Sequence, residues 1–381
     1  MKKLADWIVD KKGLIFLFVA ILTVVAVLGI FKTNINYDMS KYLPSYSSVK
    51  KGMELMAEEY GDMSAITVMF DDLSEKEQTE RKTELESLEH VKNVIYLQDD
   101  ETYQKKNHSK YMINVSANTY SEEARKVLQS IKDTYGDSAY LCGAVVDNDM
   151  MVNTLLEEIP VIAVIAVVII FAILFLLCNS WVEPFLYMCC IGIAIILNMG
   201  SNVFLPSVSF MTFAVGALLQ MGLSMDYSIM LMNRYNQEKK KQADSVLSMK
   251  KALTNAFSAI TSSSVTTIVG LLVLLFMSFK IGQDMGIVLA KGVFISLLCI
   301  FTVLPGLVVV FDKAMAKTHK KSLEFNMKPL MRFAGKIRFV SVPLIILVTI
   351  AAVFLKNGME IIYVKTFDNP DQTKIEEAFG M

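Results

Sequence analysis

The hydrophobic and polar positions divide this chain into seven long apolar runs and one polar segment. A helix needs about 20 residues to cross a bilayer, and each of the seven runs is close to that length or longer. The seven predicted spans cover residues 13–31, 159–177, 181–199, 209–232, 252–276, 285–311 and 339–355. Hydrophobic residues make up 54% of the 381 and charged residues only 20%, a composition unlike that of most soluble proteins. The pattern therefore predicts an α-helical integral membrane protein.

Between residues 32 and 158 the apolar runs shorten, and strand and helix periods alternate. Ser74 and Glu77 have the spacing of a capping box, and Ser121 is placed to cap a later helix with a buried apolar stripe. That stripe consists of Ala124, Val127, Leu128 and Ile131. Strands are predicted over residues 65–71, 91–97, 110–117 and 139–146, with a further helix over 49–60. The order strand-helix-strand-strand-helix-strand predicts an external α+β domain of the ferredoxin-like (βαββαβ) kind.

Basic residues cluster in alternate loops along the predicted spans. If the amino terminus is cytoplasmic, the short external loops hold only Lys280, as the positive-inside rule requires. The cytoplasmic set is then Lys2, Lys3, Lys11, Lys12, Arg234, Lys239, Lys240, Lys241, Lys250, Lys251, Lys313, Lys317, Lys320, Lys321, Lys328, Arg332, Lys336 and Arg338. We expect a multi-pass protein of the bacterial plasma membrane with the 32–158 domain outside. The basic loops are interpreted as a mark of orientation, so no nucleic-acid partner is expected.

Cysteines, histidines and glycine-rich loops give no sign of enzyme chemistry. The five cysteines lie mostly in or beside predicted spans and the three histidines are scattered, so no disulfide framework or metal site is predicted. The sequence has no G-x-x-x-x-G-K-[ST] phosphate loop. We therefore expect no enzyme activity and no cofactor, and any transport must draw on a proton gradient or on a partner.

Asp226 is the most informative residue, because it lies inside the apolar run of residues 211–232. A carboxylate at the centre of a membrane helix costs about 2.5–3.5 kcal/mol on the insertion scale. Since a low dielectric favours the neutral carboxyl, such a group can take up and release a proton as its access to water alternates. Asp226 is therefore the candidate proton carrier. The alternative is that Asp226 merely extends toward the inner surface and Arg234, which is about 12 Å away along the helix axis.

Side chains near Asp226 are candidates for assisting the proton step. Tyr227 is about 100° from Asp226 around the helix, so we expect it to face a neighbouring helix. The fifth span is rich in serine and threonine, and only Thr261 and Ser262 are singled out as candidates to line a water path. The other hydroxyls are expected to bond their own backbone or to tighten packing. Lys291 is a second intramembrane charge, and we expect it to extend toward the outer surface rather than to join the proton step.

Four segments together carry a family signature. They are GLSMDYSIMLMNRY at residues 222–235, AFSAITSSSVTTIVGLL at 256–272, Gly292 with LPGL at 304–307, and LCGAVVDND at 141–149. They resemble the MMPL family (mycobacterial membrane protein, large) of the resistance-nodulation-division (RND) superfamily. The resemblance implies that Asp226 and Tyr227 carry the proton, with Gly222 and Ser224 supporting them. This chain departs from the family at Ser224 and Phe257, where glycine is frequent.

The opening of the chain recurs at a spacing of 326 residues. Met1, Lys2, Leu4, Thr23, Ala26, Val27, Ile35 and Tyr37 recur as Met327, Lys328, Leu330, Thr349, Ala352, Val353, Ile361 and Tyr363. MMPL-type transporters consist of two such halves, so the resemblance implies an RND-type half-transporter, the amino-terminal half of a longer protein. It would need a complementary carboxy-terminal half or a second subunit. The domains predicted are a cytoplasmic start and first span (1–31), the external domain (32–158), a five-helix membrane block (159–311), a basic cytoplasmic linker (312–338) and the start of a second half (339–381).

The function predicted from these features is proton-coupled export of a lipid or another hydrophobic compound. Membrane lipids and a hydrophobic small-molecule or lipid substrate are the expected partners. One alternative is a sensor, because the five-span block is also similar to sterol-sensing domains, which bind lipid and regulate partners. A second alternative is a protein-export accessory factor of the SecD/SecF type, although those proteins usually have Asp-Ala-Asn where this chain has Asp226-Tyr227-Ser228.

Overall fold

A computed structural model describes residues 2–60, 64–242, 244–320, 327–356 and 369–380. Its helices are α1 (Lys2–Asp10), α2 (Lys12–Lys32), α3 (Ser48–Tyr60), α4 (Glu75–Glu86), α5 (Glu122–Tyr135), α6 (Ala144–Leu177), α7 (Glu183–Gly200), α8 (Phe210–Lys239), α9 (Ser245–Leu272), α10 (Lys280–Lys317), α11 (Met327–Lys356) and α12 (Pro370–Phe379). Its strands are β1 (Ile35–Asn36), β2 (Ser64–Asp71), β3 (Val91–Ile95), β4 (Gln104–Lys105), β5 (His108–Val115), β6 (Tyr140–Cys142) and β7 (Val208–Ser209). Parts of the predicted linker and of the predicted second half, residues 321–326 and 357–368, lie outside the described residues.

Four strands form an antiparallel sheet in the order β3-β5-β2-β6, and β4 pairs with β5. Along β2 and β5 alternate side chains, such as Ile66, Val68 and Ile113, form a core with α4 and α5. The four stripe residues predicted for α5 are all buried in that core. The capping box of Ser74 and Glu77 is also present at the start of α4. Both local predictions are therefore confirmed.

The end of the α+β segment differs from the prediction of a strand over residues 139–146. Only Tyr140–Cys142 is a strand, and Val145 and Val146 lie in the first turn of α6. Gly143, with φ +117, makes the break between the two, in a conformation that L side chains rarely adopt. Val145 and Val146 continue the apolar run that predicted the strand, but they are buried in the α+β core as part of a helix. The second predicted span therefore continues directly out of this domain.

Six described helices are long and apolar enough to cross a membrane: α2, α6, α7 with its 3-10 extension to Phe204, α8, α9 with its extension to Phe276, and α10. The predicted seventh span falls in α11, whose apolar part, Val340–Lys356, is shorter than those six. The count of seven spans therefore stays a prediction. Helices α7, α8 and α10 form the centre of the block, and Ile191, Leu231, Val293 and Leu304 belong to its largest buried cluster.

Two glycines bring α2 against α7. A Cβ atom built on Gly29 would lie 2.5 Å from the carbonyl oxygen of Gly200, and a Cβ on Gly200 would collide with the carbonyl of Ala26. Close approach of this kind is how small residues pack membrane helices. Just beyond the crossing, β1 pairs in parallel with β7, so the segment after the first span is joined to the start of α8. Helix α2 is thus held against the membrane block at the glycine crossing and, through β1, at the start of α8.

Candidate proton-carrying site in the membrane block

Helix α8 presents two different faces, although its sequence is largely apolar all round. Its inner face carries Gln220, Ser224, Tyr227 and Ser228, all of which are buried. Its outward face, which we call the outer stripe, is exposed and spaced by three or four residues, as expected for one side of a helix. The outer stripe consists of Leu219, Gly222, Asp226, Met230 and Asn233. The predicted carrier is therefore on the surface of the block, where lipid or another protein would contact it.

The carboxylate of Asp226 has no hydrogen-bond or ion-pair partner among the residues that the structure describes. The alternative, in which Asp226 extends toward Arg234, is not what the structure shows. Arg234 donates to Gln237 Oε1 (3.0 Å) and lies 3.8 Å from Glu238. Both of those acceptors lie further along α8, away from Asp226. A carboxylate without a partner is costly in contact with hydrocarbon, so this position favours contact with water or with a group outside the described residues.

Tyr227 faces away from Asp226, as its position on the helix predicted. Its ring is buried, and its hydroxyl donates to Thr267 Oγ1 of α9 over 3.1 Å. Thr267 in turn donates to the carbonyl of Ser263, one turn earlier in the same helix. The pair therefore links α8 to α9 through a side of α8 different from the one that carries Asp226.

The four other predicted residues do not form one cluster with Asp226. Gly222 lies in the outer stripe, and a Cβ built on it would meet open space. Ser224 lies on the inner face and donates to the carbonyl of Gln220 (2.6 Å). Ser262 is exposed, whereas the hydroxyl of Thr261 is buried and finds no partner among the described residues. Their roles stay a prediction, and of the four only Gly222 shares a face with Asp226.

A buried polar network that the sequence analysis missed crosses α7, α8 and α10. Asn198 Nδ2 donates to Gln220 Oε1 (2.8 Å), and Gln220 Nε2 donates to the carbonyl of Gly292 (3.1 Å) and to Ser296 Oγ (2.9 Å). A Cβ at Gly292 would lie 2.6 Å from Asn198 Nδ2, so glycine is required there for the network to fit. The spacing of Gln220, Ser224 and Ser228 by four residues is the signal that could have revealed this inner polar face.

Lys291 extends this network toward the end of α7. Its ammonium donates to the carbonyl oxygen of Asn198 (3.2 Å) and to Asn202 Oδ1 (2.6 Å). The acceptor for Lys291 is thus the carboxyl end of a helix, where the helix dipole favours a cation. Asp284, two turns earlier in α10, accepts instead from the backbone N–H of Ser209 (2.8 Å). Lys291 therefore joins α10 to the end of α7 and its 3-10 extension, close to where β1 and β7 pair.

The cytoplasmic side predicted for the block also has an interhelical polar cluster. Tyr235 donates to Asp312 Oδ1 (2.7 Å), and Lys239 forms an ion pair with the same carboxylate. Asn255 of α9 donates to Glu238 (3.3 Å), and Lys250 bonds Asp10 of α1 (2.8 Å). These contacts hold the ends of α8, α9 and α10 and leave Asp226 as the carboxylate without such a partner in the described part of α8.

Comparison with known sequences gives the family. The sequence profile of the MMPL family matches residues 43–343. Three relatives, all named as membrane proteins, also match. ActII-3 of Streptomyces coelicolor is 35% identical over 107 residues, which is 28% of this chain and 15% of that protein. MJ1562 of Methanocaldococcus jannaschii is 24% identical over 376 residues, covering 82% of this chain and 94% of that protein.

The third relative, YdgH of Bacillus subtilis, is 24% identical over 340 residues, covering 83% of this chain and 38% of that protein. The chain thus spans nearly all of one relative and well under half of the other two. Among solved structures, that of SecDF, a translocon-associated membrane protein from Thermus thermophilus, aligns over 82% of this chain and 38% of its own. That alignment has 15% identity and a TM-score of 0.41. With a profile that matches most of its length, this multi-pass membrane protein belongs to the MMPL family.

Proposed function

We propose that this chain is one half of a proton-coupled RND-type transporter that exports a lipid or another hydrophobic compound. Its α+β segment would be a ferredoxin-like extracytoplasmic domain, and its membrane block would carry the proton. The observation that carries the proposal is the position of Asp226, an unpartnered carboxylate on the exposed outer stripe of an apolar helix. A charge in that position has a cost of about 2.5–3.5 kcal/mol on the insertion scale, and a proton-binding function accounts for it.

The outer stripe also suggests where the proton would move. Gly222 is one turn before Asp226 and leaves open space beside it, so another helix can approach α8 closely at this point. We infer that the complementary carboxy-terminal half, or a second subunit, packs on the outer stripe and encloses Asp226. Enclosure would let the carboxyl alternate between water on the two sides of the membrane, which is the requirement for exchanging protons against substrate.

Tyr227 would have a positioning role. Because its hydroxyl donates its one hydrogen to Thr267, it cannot at the same time donate to Asp226, which is about 100° away around the helix. The proposed division of labour is therefore that Asp226 titrates and Tyr227 holds α8 in the rotation that presents Asp226 to the partner. Thr261 and Ser262 remain candidates for the water path on α9.

The test is protonation of Asp226 in the membrane, together with transport. Infrared difference spectra of the reconstituted protein between acid and alkaline pH should contain a carboxylic-acid C=O band that is lost in Asp226→Asn. Asp226→Glu should keep a shifted band, and Met230→Leu, in the same stripe, should leave it unchanged. In cells containing the complete transporter, Asp226→Asn should abolish proton-coupled export while expression stays normal.

Normal export by a well-expressed Asp226→Asn protein would refute the proton role. It would then favour the lipid-sensor alternative, since a sensor needs no titrating carboxyl at this position. If Asp226→Asn instead impaired the export of proteins and left the export of lipids normal, the result would favour the SecD/SecF type of function.

A further inference from the structure

The sheet of the α+β domain has one face covered by α4 and α5 and a second face that these helices leave open. We call this second face the open face; Met69, Tyr140 and Cys142 lie on it. Helix α12, far away in the sequence, packs there through Ile375 and Phe379, which are 0% and 8% exposed. The open face therefore binds an amphipathic helix through two apolar side chains that are one turn apart.

Polar contacts fix both ends of α12 on the open face. At its start, Asn369 Nδ2 donates to the carbonyl of Leu141 (3.2 Å), and the N–H of Leu141 donates to Asp371 (3.1 Å). At its end, Lys105 Nζ donates to the carbonyl of Phe379 (3.0 Å). The edge strand β6 thus recognises the first turn, and a lysine satisfies a carbonyl of the last turn that has no partner within the helix.

Helix α3 has the same apolar pattern as α12 in the register of the 326-residue repeat. Position 49 corresponds to 375 and position 53 to 379, so Val49 and Met53 stand where Ile375 and Phe379 stand, and Pro44 corresponds to Pro370.

In α3, however, none of the described residues covers this face. Val49, Met53 and Met56, which share one side of the helix, are 59%, 39% and 62% exposed. An exposed apolar stripe of this kind marks a surface that binds a partner.

We propose that α3 is the docking helix for the open face of a second α+β domain of the same construction. Val49 and Met53 would bind that face as Ile375 and Phe379 bind this one. The inference rests on the proposed two-half transporter, since the complementary half would carry the second domain. Helix α3 would then pack on the open face of the second domain, while α12 packs on the open face of this one. This exchange of helices would couple the two domains mechanically.

The test uses a second copy of this chain as the probe for an open face. An acceptor copy carries Ile375→Asp and Phe379→Asp, which release α12 and leave the native Cys142 accessible. A donor copy carries Val49→Cys with Cys142→Ser, and both are expressed in one membrane and oxidised. We expect a disulfide between Cys142 of the acceptor and the cysteine at position 49 of the donor. The band should be lost with an acceptor whose α12 is unaltered.

A donor with Glu58→Cys in place of Val49→Cys is the matched control, because Glu58 lies on the opposite side of α3 from Val49. Equal cross-linking by both donors, or none by either, would overturn the proposal. Release of α12 is checked by faster alkylation of Cys142, and no increase in that rate would show that α12 does not cover the open face, which also refutes the inference. Because the cross-link requires no titration of Asp226, it should persist when both copies carry Asp226→Asn. Failure of docking is thereby separated from failure of the proton role.

Discussion

Tyr227 of α8 and Thr267 of α9 are joined by a hydrogen bond of 3.1 Å between their hydroxyl groups. The bond crosses between two helices of the apolar block, while the neighbouring residue, Asp226, lies on the outer stripe. The relationship separates two adjacent residues that the family motif presents as a unit: Tyr227 is bonded inside the block, and Asp226 is exposed at its surface.

We predict that Tyr227 and Thr267 are energetically coupled. Tyr227→Phe and Thr267→Val should each lower the stability of the protein in detergent, and the double variant should lose less than the sum. The coupling expected for a hydrogen bond between membrane helices is about 0.6 kcal/mol. Denaturation of the four proteins of the cycle measures it. Thr302 bonds only the carbonyl of Leu298 in its own helix, so a cycle of Tyr227→Phe with Thr302→Val should be additive.

Replacement of Gly292 should damage the buried network. Gly292→Ala places a Cβ 2.6 Å from Asn198 Nδ2 and 3.0 Å from Gln220 Oε1, so these amides must move and lose their bonds. Overpacking of this kind typically costs about 1–3 kcal/mol. The measurement is the midpoint of thermal unfolding in detergent. Gly192→Ala, where the new Cβ would meet nothing within 4 Å, is the control, and an equal effect of both changes would contradict the packing argument.

The contact of Lys291 with Asn202 should respond asymmetrically to substitution. Asn202→Leu leaves a half-buried ammonium with one acceptor fewer and should cost about 1.5–3 kcal/mol, the range for a hydrogen bond to a charged group. Lys291→Met removes the charge with its desolvation cost and should be much milder, because only neutral acceptors are left behind. Combining the two should restore most of the stability lost in Asn202→Leu. The measurement is the free energy of unfolding of the two single variants and the double variant. If the losses of the two single variants simply add in the double variant, the contact is not a stabilising pair.

The orientation of the chain can be tested by thiol labelling in whole cells. Ser87 and Lys240 are both exposed, on the α+β domain and at the end of α8 respectively. Ser87→Cys should react with a membrane-impermeant maleimide in intact cells, whereas Lys240→Cys should react only after permeabilisation. The native Cys142 should contribute a slow background, because burial raises the pKa of its thiol and leaves less of the reactive thiolate at neutral pH. The background should grow as the pH rises. The reverse labelling pattern would place the α+β domain in the cytoplasm.

Local features of the sequence predicted their structures well. The capping box of Ser74 and the stripe from Ala124 to Ile131 follow from interactions within one or two turns, and both are confirmed. The resemblance to the MMPL family, which was carried by the segment around Asp226-Tyr227, is confirmed by the profile match. Short-range patterns of this kind depend little on the rest of the chain.

Features that depend on long-range packing could not be predicted in the same way. The face of α8 that carries Asp226 depends on contacts with α9 and α10, and the sequence does not show which of its polar positions those helices cover. Likewise, the acceptors of Lys291 come from Asn198 and Asn202, which are about 90 positions earlier in the sequence. The strand boundary at Gly143 was missed because Val145 and Val146 are equally apolar as strand or helix.

The continuity of α6 connects the α+β domain directly to the membrane block through a single helix. In its first turn Val145 and Val146 are buried in the core of the α+β domain, and the same helix continues without a break to Leu177. Over most of its apolar length α6 is exposed, and near its far end Leu174 is buried against the block. Pro160 lies between these ends, where the ring removes a backbone hydrogen bond and eases bending. Helix α6 is therefore anchored at both ends, and its exposed middle part holds the position where bending costs least, at Pro160.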